Sequence, residues 1–577
     1  MQPVDFTTLA AVTAELRAAW LPARVEQVVQ RDRHTICIAL RTLSQRGWLT
    51  IAWHPQAARL GIAPPPPRSP DPYSFSDQLR RQLGGLALIA ITPLTPWERV
   101  LDLQFARRPG EDPRWHLYVE IIGKYSNVVL ADAKQQIACV AHQVGSRQSS
   151  FRTVQIGQTY QPPPPLLGQA PRLDEPFARW QERLSLVPGA LKKQLLAVYR
   201  GLSPAIATAL SRAAGLDPQQ DVAELSAADW QRLFQQWQHW LTSLEQEQFH
   251  PAWTADGYTV IGWQAIAPAA SVQGLLAEYY TAQLNRQQFQ NLRQQLQQKL
   301  QALQKKLGQK AQGFRDRLAQ ADDADQYRAQ ADLLMAYLHQ WQPGMQSIQL
   351  TDFVTGEPAK IALNPERNAV QNAQALYKKH QKLRRAREAV QPLLAAVDGE
   401  LQYLAQVSTS LTALDRYQHP SDLDALAEIR TELIEQGYFP TPREPTPTPT
   451  SESQPHRYRT PSGSEVWVGR NNRQNDQLSF RTATEYDLWF HAQEIPGSHV
   501  LLRLEPGAVA AASDLQFAAN LAAYYSQGRE SDRVPVVYTQ PKYVYKPKGA
   551  APGLAIYKHE QVLWGQATAI APDTRLN

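Results

Sequence analysis

Nine apolar residues spaced three, four and four apart run through a glutamine-rich stretch: Phe289, Leu292, Leu296, Leu300, Leu303, Leu307, Ala311, Phe314 and Leu318. An eleven-residue period keeps one stripe of a nearly straight α-helix apolar. Such a stripe is unstable in water, so the polypeptide has to cover it. Residues 383–411 offer the cover, because Leu383, Val390, Val397, Leu404 and Leu411 recur at sevens. The two stretches predict a long antiparallel coiled-coil arm over residues 271–439. A short helix near 333–338 and a hairpin pattern centred on Gly356 predict a folded tip at about 315–365. Pro392 is expected to kink or break the returning helix. A dimerisation coil is the other reading of the pattern, although one chain supplies both helices. An arm with a tip is a device for reaching.

Prolines punctuate the rest. Of the 43 in 577 residues, runs fall at 64–67 and 162–165, and residues 440–455 alternate Pro with Thr, Glu and Ser, predicting an extended linker. Split at these marks, residues 1–170 carry 18 basic and 12 acidic side chains, 171–455 carry 28 and 30, and 456–577 carry 13 and 11. The net charge of +6 therefore resides in the two end segments.

The first segment, 1–170, mixes an early helix at 9–20 with β-rich stretches at 35–40, 48–53 and 115–122, which predicts an α+β domain with return strands at about 250–270. Residues 171–249 read as a helix-hairpin-helix domain: Gly201-Leu202-Ser203-Pro204 separates two helical stretches, with Ser203 as N-cap and Pro204 at the first helical position. Its turn amides can face a phosphate backbone, and a plain helical hairpin is the equal alternative. The last segment, 456–577, again reads as α+β, with strands at 486–491 and 534–538 and an alanine-rich helix at 514–525. The predicted fold class is multidomain α+β.

Few chemistries fit. Two cysteines, Cys37 and Cys139, exclude a disulfide scaffold and a four-cysteine zinc ribbon, and with no signal-peptide pattern they predict a cytoplasmic protein without membrane association. No phosphate loop or dinucleotide fingerprint is present. His491 and His499 with Asp487 fit no common metal template, so neither a metal nor another cofactor is expected. Glu98 and Asp102, four apart, read as solvated carboxylates. No catalytic constellation emerges.

Nucleic-acid binding fits better. In Lys542-Tyr543-Val544-Tyr545-Lys546-Pro547-Lys548, lysines alternate along an expected strand where they can neutralise phosphates, and tyrosines can stack on bases. Arg470-Asn471-Asn472-Arg473 adds donors suited to sugar and phosphate. Arg80, Arg81, Arg99, Arg107, Arg108 and Lys124 form a second basic set, and Lys378, Lys379, His380, Lys382, Arg384, Arg385 and Arg387 a third, on the arm. Three separated patches point to one large, irregular RNA surface.

Gly469-Arg470-Asn471-Asn472-Arg473-Gln474-Asn475-Asp476, then Asp487-Leu488-Trp489-Phe490-His491-Ala492 and Gly497-Ser498-His499-Val500, resemble the C-terminal signature of the NFACT family. Tyr118-Val119-Glu120-Ile121-Ile122-Gly123-Lys124-Tyr125-Ser126-Asn127, Phe151-Arg152-Thr153-Val154 and Leu79-Arg80-Arg81 resemble its N-terminal domain. The resemblance extends over the whole sequence in order. It implies a factor for ribosome-associated quality control, not itself an enzyme. Such a factor binds the large ribosomal subunit obstructed by peptidyl-tRNA, recruits alanyl-tRNA, and lets the ribosome add C-terminal alanines to the stalled product. Ribosomal RNA and a small RNA-binding partner protein are further implied partners.

By the same resemblance, Asp5, Arg80, Arg81, Glu98, Arg99, Lys124, Ser126 and Asn127 are implied tRNA-binding residues. Arg470, Asn471, Asn472, Asn475, Asp476, Asp487, His491, Ser498, His499, Lys542, Lys546 and Lys548 are the expected RNA-binding set. The family's Asp-Arg pair stands here as Glu98-Arg99, one methylene longer. An adaptor without tailing activity and a fibronectin-binding role, a name some relatives carry, are the alternatives. The layout also resembles formamidopyrimidine glycosylases, but Gln2 stands where those enzymes expose a proline amine, and the zinc ribbon is absent.

Overall fold

The structure is a computed structural model that describes residues 1–68, 70–149, 152–441 and 453–570. Most of the expected linker, residues 442–452, lies outside them, as does Phe151. The chain divides into two compact units, Met1–Asn285 and Arg286–Asn577.

The first unit is built on a nine-stranded antiparallel sheet. After α1 (Phe6–Trp20) come β1 (Ala23–Asp32), β2 (Thr35–Arg41), β3 (Arg46–Ala52), β4 (Arg59–Ala63), α2 (Ser74–Leu83), β5 (Ala87–Pro93), β6 (Val100–Ala106), β7 (Trp115–Glu120), β8 (Asn127–Asp132) and β9 (Ile137–Val140). The strand order is β4-β3-β2-β1-β5-β6-β7-β8-β9, so α2 leads from one edge back beside β1. Val25, Val28, Ile36, Ile38, Leu49, Ile51, Leu103 and Leu117 bury the face that α1 covers with Leu9, Val12 and Leu16. The alternation is the period-2 pattern of a sheet with one face in the core.

Four helices follow: α3 (Phe177–Ser185), α4 (Leu191–Val198), α5 (Pro204–Ala213) and α6 (Ala227–Glu245). The expected hairpin is present, with Ser203 accepting from the Ile206 amide and Pro204 opening α5. Trp180, Trp237, Trp240 and Tyr199 fill the space between these helices and join the core of the sheet. The expected return strands are β10 (Ala252–Thr254), β11 (Gly257–Thr259) and β12 (Ala267–Pro268). They form a separate three-stranded sheet rather than extending the large one, although Tyr258 and Ile261 reach the common core.

Helix α7 (Val272–Asp322) is longer than the apolar stripe that announced it. In the second unit it is followed by α8 (Ala324–Ala336), the hairpin β13 (Ser347–Thr351) and β14 (Pro358–Ala362), α9 (Ala369–Ala413) and α10 (Pro420–Glu435). Phe289, Leu296 and Leu300 of α7 pack with Leu404, Val407 and Leu411 of α9 and with Leu426, Ile429 and Leu433 of α10. Farther out, Arg315 pairs with Asp398 at 2.7 Å and Asp325 with His380 at 3.8 Å. The rising and falling numbers show that α9 returns along α7 and α8. Helix α9 continues through Pro392, so of the expected kink or break the break does not occur. The side chains around Pro392 are mostly exposed, so water can satisfy the carbonyl whose partner the imino nitrogen removes. The tip is folded: Leu334, Ile348, Leu350 and Ile361 make its own small core.

The C-terminal part is a six-stranded antiparallel sheet backed by one helix. It comprises β15 (His456–Arg459), β16 (Glu465–Val468), α11 (Asn472–Gln477), β17 (Leu488–Ala492), β18 (Val500–Leu502), α12 (Ala512–Tyr524) and β19 (Val534–Thr539). The hairpin β20 (Val544–Tyr545) with β21 (Ile556–Tyr557) and the edge strand β22 (Gln561–Gly565) follow. Residues 542–548 do not form the continuous strand expected of them, because Pro541 opens a 3-10 turn and Pro547 ends the ladder.

Candidate nucleic-acid interface

Several turns of the first unit line one cleft. The Ile121 amide donates to the Arg99 carbonyl at 2.9 Å, which joins the β5–β6 turn to the loop after β7. The Arg99 guanidinium reaches the Val4 carbonyl at 3.5 Å and lines a cleft of about 270 Å³ with Pro3, Gln56, Ala58 and Gly123. Lys124 projects beside it, exposed, with its ammonium 5.0 Å from the exposed Tyr125 ring. An arginine, a lysine and an open aromatic ring around an apolar cleft suit a phosphate backbone with an unstacked base.

Asp5, Glu98, Ser126 and Asn127 hold the surrounding backbone in place. Asp5, buried, caps α1 by accepting from the Thr8 amide at 2.8 Å and takes a second hydrogen bond from Ser203 Oγ at 2.5 Å. The helical hairpin is thereby fixed to the start of α1, and Gly201 lies against the Trp97 ring, which leaves no room for a Cβ there. Glu98 accepts from the Leu166 amide at 2.6 Å. Ser126 closes its own turn through Gly123 and Ile122, and Asn127 bridges both backbone groups of His142. Arg80 is held by Asp71, Asp77 and the Val28 carbonyl, and Arg81 beside it is exposed. Neither lines the cleft. Asp102 is not solvated: it is buried against His116 Nδ1 at 2.9 Å.

In the C-terminal sheet the expected RNA residues divide into two groups. Arg470 turns inward to Asp422 at 2.6 Å and Ser421 at 3.1 Å. Asn471 caps α11 and donates to Glu428 at 2.6 Å, and Asn472 donates to Glu432 at 2.9 Å. Their partners all lie on α10, whose acids receive the motif. Asp487, fully buried, accepts from the Thr484 and Leu504 amides and from Arg503. Asn475 orients the His499 amide, and Asp476 pairs with Lys546 and accepts from the Gly553 amide.

His491 and His499 pack edge to face at 5.4 Å around Trp489. Ser479 Oγ links Trp489 Nε1 at 2.8 Å to His499 Nδ1 at 2.6 Å, and Ser498 is buried beside them. Loss of water pushes His491 down to about 4 and His499 to about 3, so both rings are neutral near pH 7. Lys542 and Lys548 are exposed, and Tyr545 stands out between them. Lys558 adds its ammonium 5.9 Å from the Tyr545 ring. This hairpin is the part of the set that faces solvent with cations and a ring.

The description of the NFACT N-terminal and middle domains matches residues 5–450, and that of the NFACT protein RNA binding domain matches residues 454–555. The chain belongs to the NFACT family. It is 30% identical, over 98% of its length and 97% of the relative's, to the Rqc2 homolog RqcH of Streptococcus pneumoniae strain R6. Identity to the Rqc2 homolog RqcH of Bacillus subtilis strain 168 is 27%, covering 96% of each sequence. Among solved structures, the C-terminal part of the fibronectin/fibrinogen-binding protein from Streptococcus suis is 28% identical, covering 50% of this protein and 97% of that one, with a TM-score of 0.38.

Within this family member, the structure brings Asp5, Arg99 and Lys124 together around one cleft and leaves Arg80 and Arg81 on α2. Sequence reading missed the role of α10, although Asp422, Glu428, Glu432 and Glu435 recur along it. It also missed Trp97, whose ring, between Phe6 at 4.8 Å and Trp240 at 5.6 Å, joins the cleft to the helical hairpin. No helix among the described residues is long and apolar enough to cross a membrane.

Proposed function

We propose that the protein is a ribosome-associated quality control factor. It binds the large ribosomal subunit obstructed by peptidyl-tRNA, recruits alanyl-tRNA, and promotes message-independent addition of alanines to the stalled product. Peptide bonds form in the ribosomal peptidyl transferase centre, and the protein supplies binding and position. The observation that carries this reading is the match in sequence, over nearly the full length, to relatives named Rqc2 homolog RqcH.

The geometry supports it at two places. Arg99 and Lys124 flank a cleft open to a nucleic-acid strand, and Lys542, Tyr545 and Lys548 offer exposed contacts to phosphate and base. The paired helices α7 and α9 read as a coiled-coil arm, with the tip and the basic stretch 378–387 directed at ribosomal RNA or protein. Asp5, Asp487 and Arg470 act through the shape they hold. Co-sedimentation of the purified protein with large subunits, followed by sequencing of the bound tRNA, tests the proposal. Enrichment of alanine isoacceptors is expected. Ribosome binding without tRNA would favour an adaptor that recruits other factors.

A further inference from the structure

A concavity of about 630 Å³ lies on β1–β4, away from the Arg99 cleft. Its floor follows from the strand register. Gln27 faces Ala39, Ala39 faces Trp48, and Trp48 faces Ala63, so one row on one side of four strands reads Gln, Ala, Trp, Ala. The two alanines are small, and the Trp48 indole lines the concavity beside them. Trp48 is half-buried and lies outside every packed apolar cluster among the described residues.

A second row borders the first. Arg24 faces Arg41, and Arg41 faces Arg46, all three exposed. Like charges directly across strands destabilise a sheet. One carboxylate, Glu26, stands 3.5 Å from both Arg41 and Arg46, which leaves the row with excess positive charge. Stability alone gives no reason for three aligned arginines beside an aromatic ring that lines a concavity. A polyanion with flat, apolar bases does.

We propose that this face is a second RNA contact: an unpaired nucleobase stacks on Trp48, the arginine row takes the flanking phosphates, and Glu26 or Gln27 meets the base edge. The volume accommodates one nucleotide. Acidic or amide side chains can distinguish exocyclic amino groups, while stacking tolerates any base. The site is separate from the Arg99 cleft, which touches the other end of β3 and β4 at Gln56 and Ala58. Four residues of extended strand between Trp48 and Ala52 alone span about 13 Å. The inference rests on the reading of the protein as an RNA-binding factor and adds a place on it.

The test is photo-crosslinking of the full-length protein to a short unstructured RNA carrying 4-thiouridine, with crosslinked peptides mapped by mass spectrometry. Crosslinks localised to residues 46–50, short of the Gln56 and Ala58 that line the Arg99 cleft, are expected. Trp48→Ala should weaken binding about tenfold, and Trp48→Phe should restore most of it. Arg41→Glu with Arg46→Glu, on exposed side chains, should lower the dependence of affinity on salt without changing the melting temperature. Crosslinks elsewhere, the Arg99 cleft at Gln56 and Ala58 included, but none in 46–50, or unchanged affinity in Trp48→Ala, would overturn the site alone. No RNA crosslink anywhere would remove both the site and the RNA-binding reading.

Discussion

The guanidinium of Arg470 lies 2.6 Å from the carboxylate of Asp422, with both side chains almost fully enclosed. A signature arginine that its sequence setting directs to phosphate is thus tied to α10. Removing one partner of a buried pair strands the other charge and costs about 3–5 kcal/mol. Arg470→Ala should lower the unfolding midpoint of the C-terminal unit, measured by denaturant titration. Asp422→Ala should do the same, and the double variant should lose less than the two singles together.

Asp5 and Ser203 make the corresponding link in the first unit. Ser203→Ala removes the hydroxyl that bridges α5 to Asp5 and the N-cap of α5 itself. A loss of about 1–2 kcal/mol is expected from the cap. Thermal unfolding of the full-length protein should show it in the transition of the first unit, with the C-terminal transition unmoved.

Lys542 and Lys548 should behave in the opposite way. Each is exposed, so Lys542→Ala should leave stability unchanged, weaken RNA binding across sequences, and lower the salt slope by about 1. Affinity measured between low and moderate salt tests this.

Acid should weaken the C-terminal sheet. His491 and His499 are depressed in the folded state to about 4 and about 3, chiefly by burial, whereas unfolded histidine titrates near 6.5. Between these values the unfolded state binds more protons, so stability is full above about pH 6.5 and falls as pH drops toward 4. With both rings contributing, the slope approaches about 2.7 kcal/mol per pH unit. Melting of the protein between pH 7 and pH 4.5 measures it, and His499→Gln should flatten the curve.

The long helices, the folded tip and the hairpin at Ser203 were legible because each follows from local rules of period and capping. The order of the sheets was not, since register depends on which rows meet across strands. The same limit governed the site. Lys124 and Lys548 could be read as exposed cations, but Arg470 and Asn472 point inward because α10 offers acids at matching positions, a relation 40 to 50 residues away in the sequence. Likewise Asp5 is a recognisable polar residue before a helix, and only the fold shows that its second oxygen holds Ser203.

The most direct measurement is mass spectrometry of the carboxyl termini of nascent polypeptides on isolated large subunits carrying peptidyl-tRNA, incubated with this protein and alanyl-tRNA. Alanine extensions are expected with the natural protein, reduced at least tenfold by Arg99→Ala while subunit binding persists. Unextended termini on subunits that demonstrably hold the natural protein would contradict the tailing function.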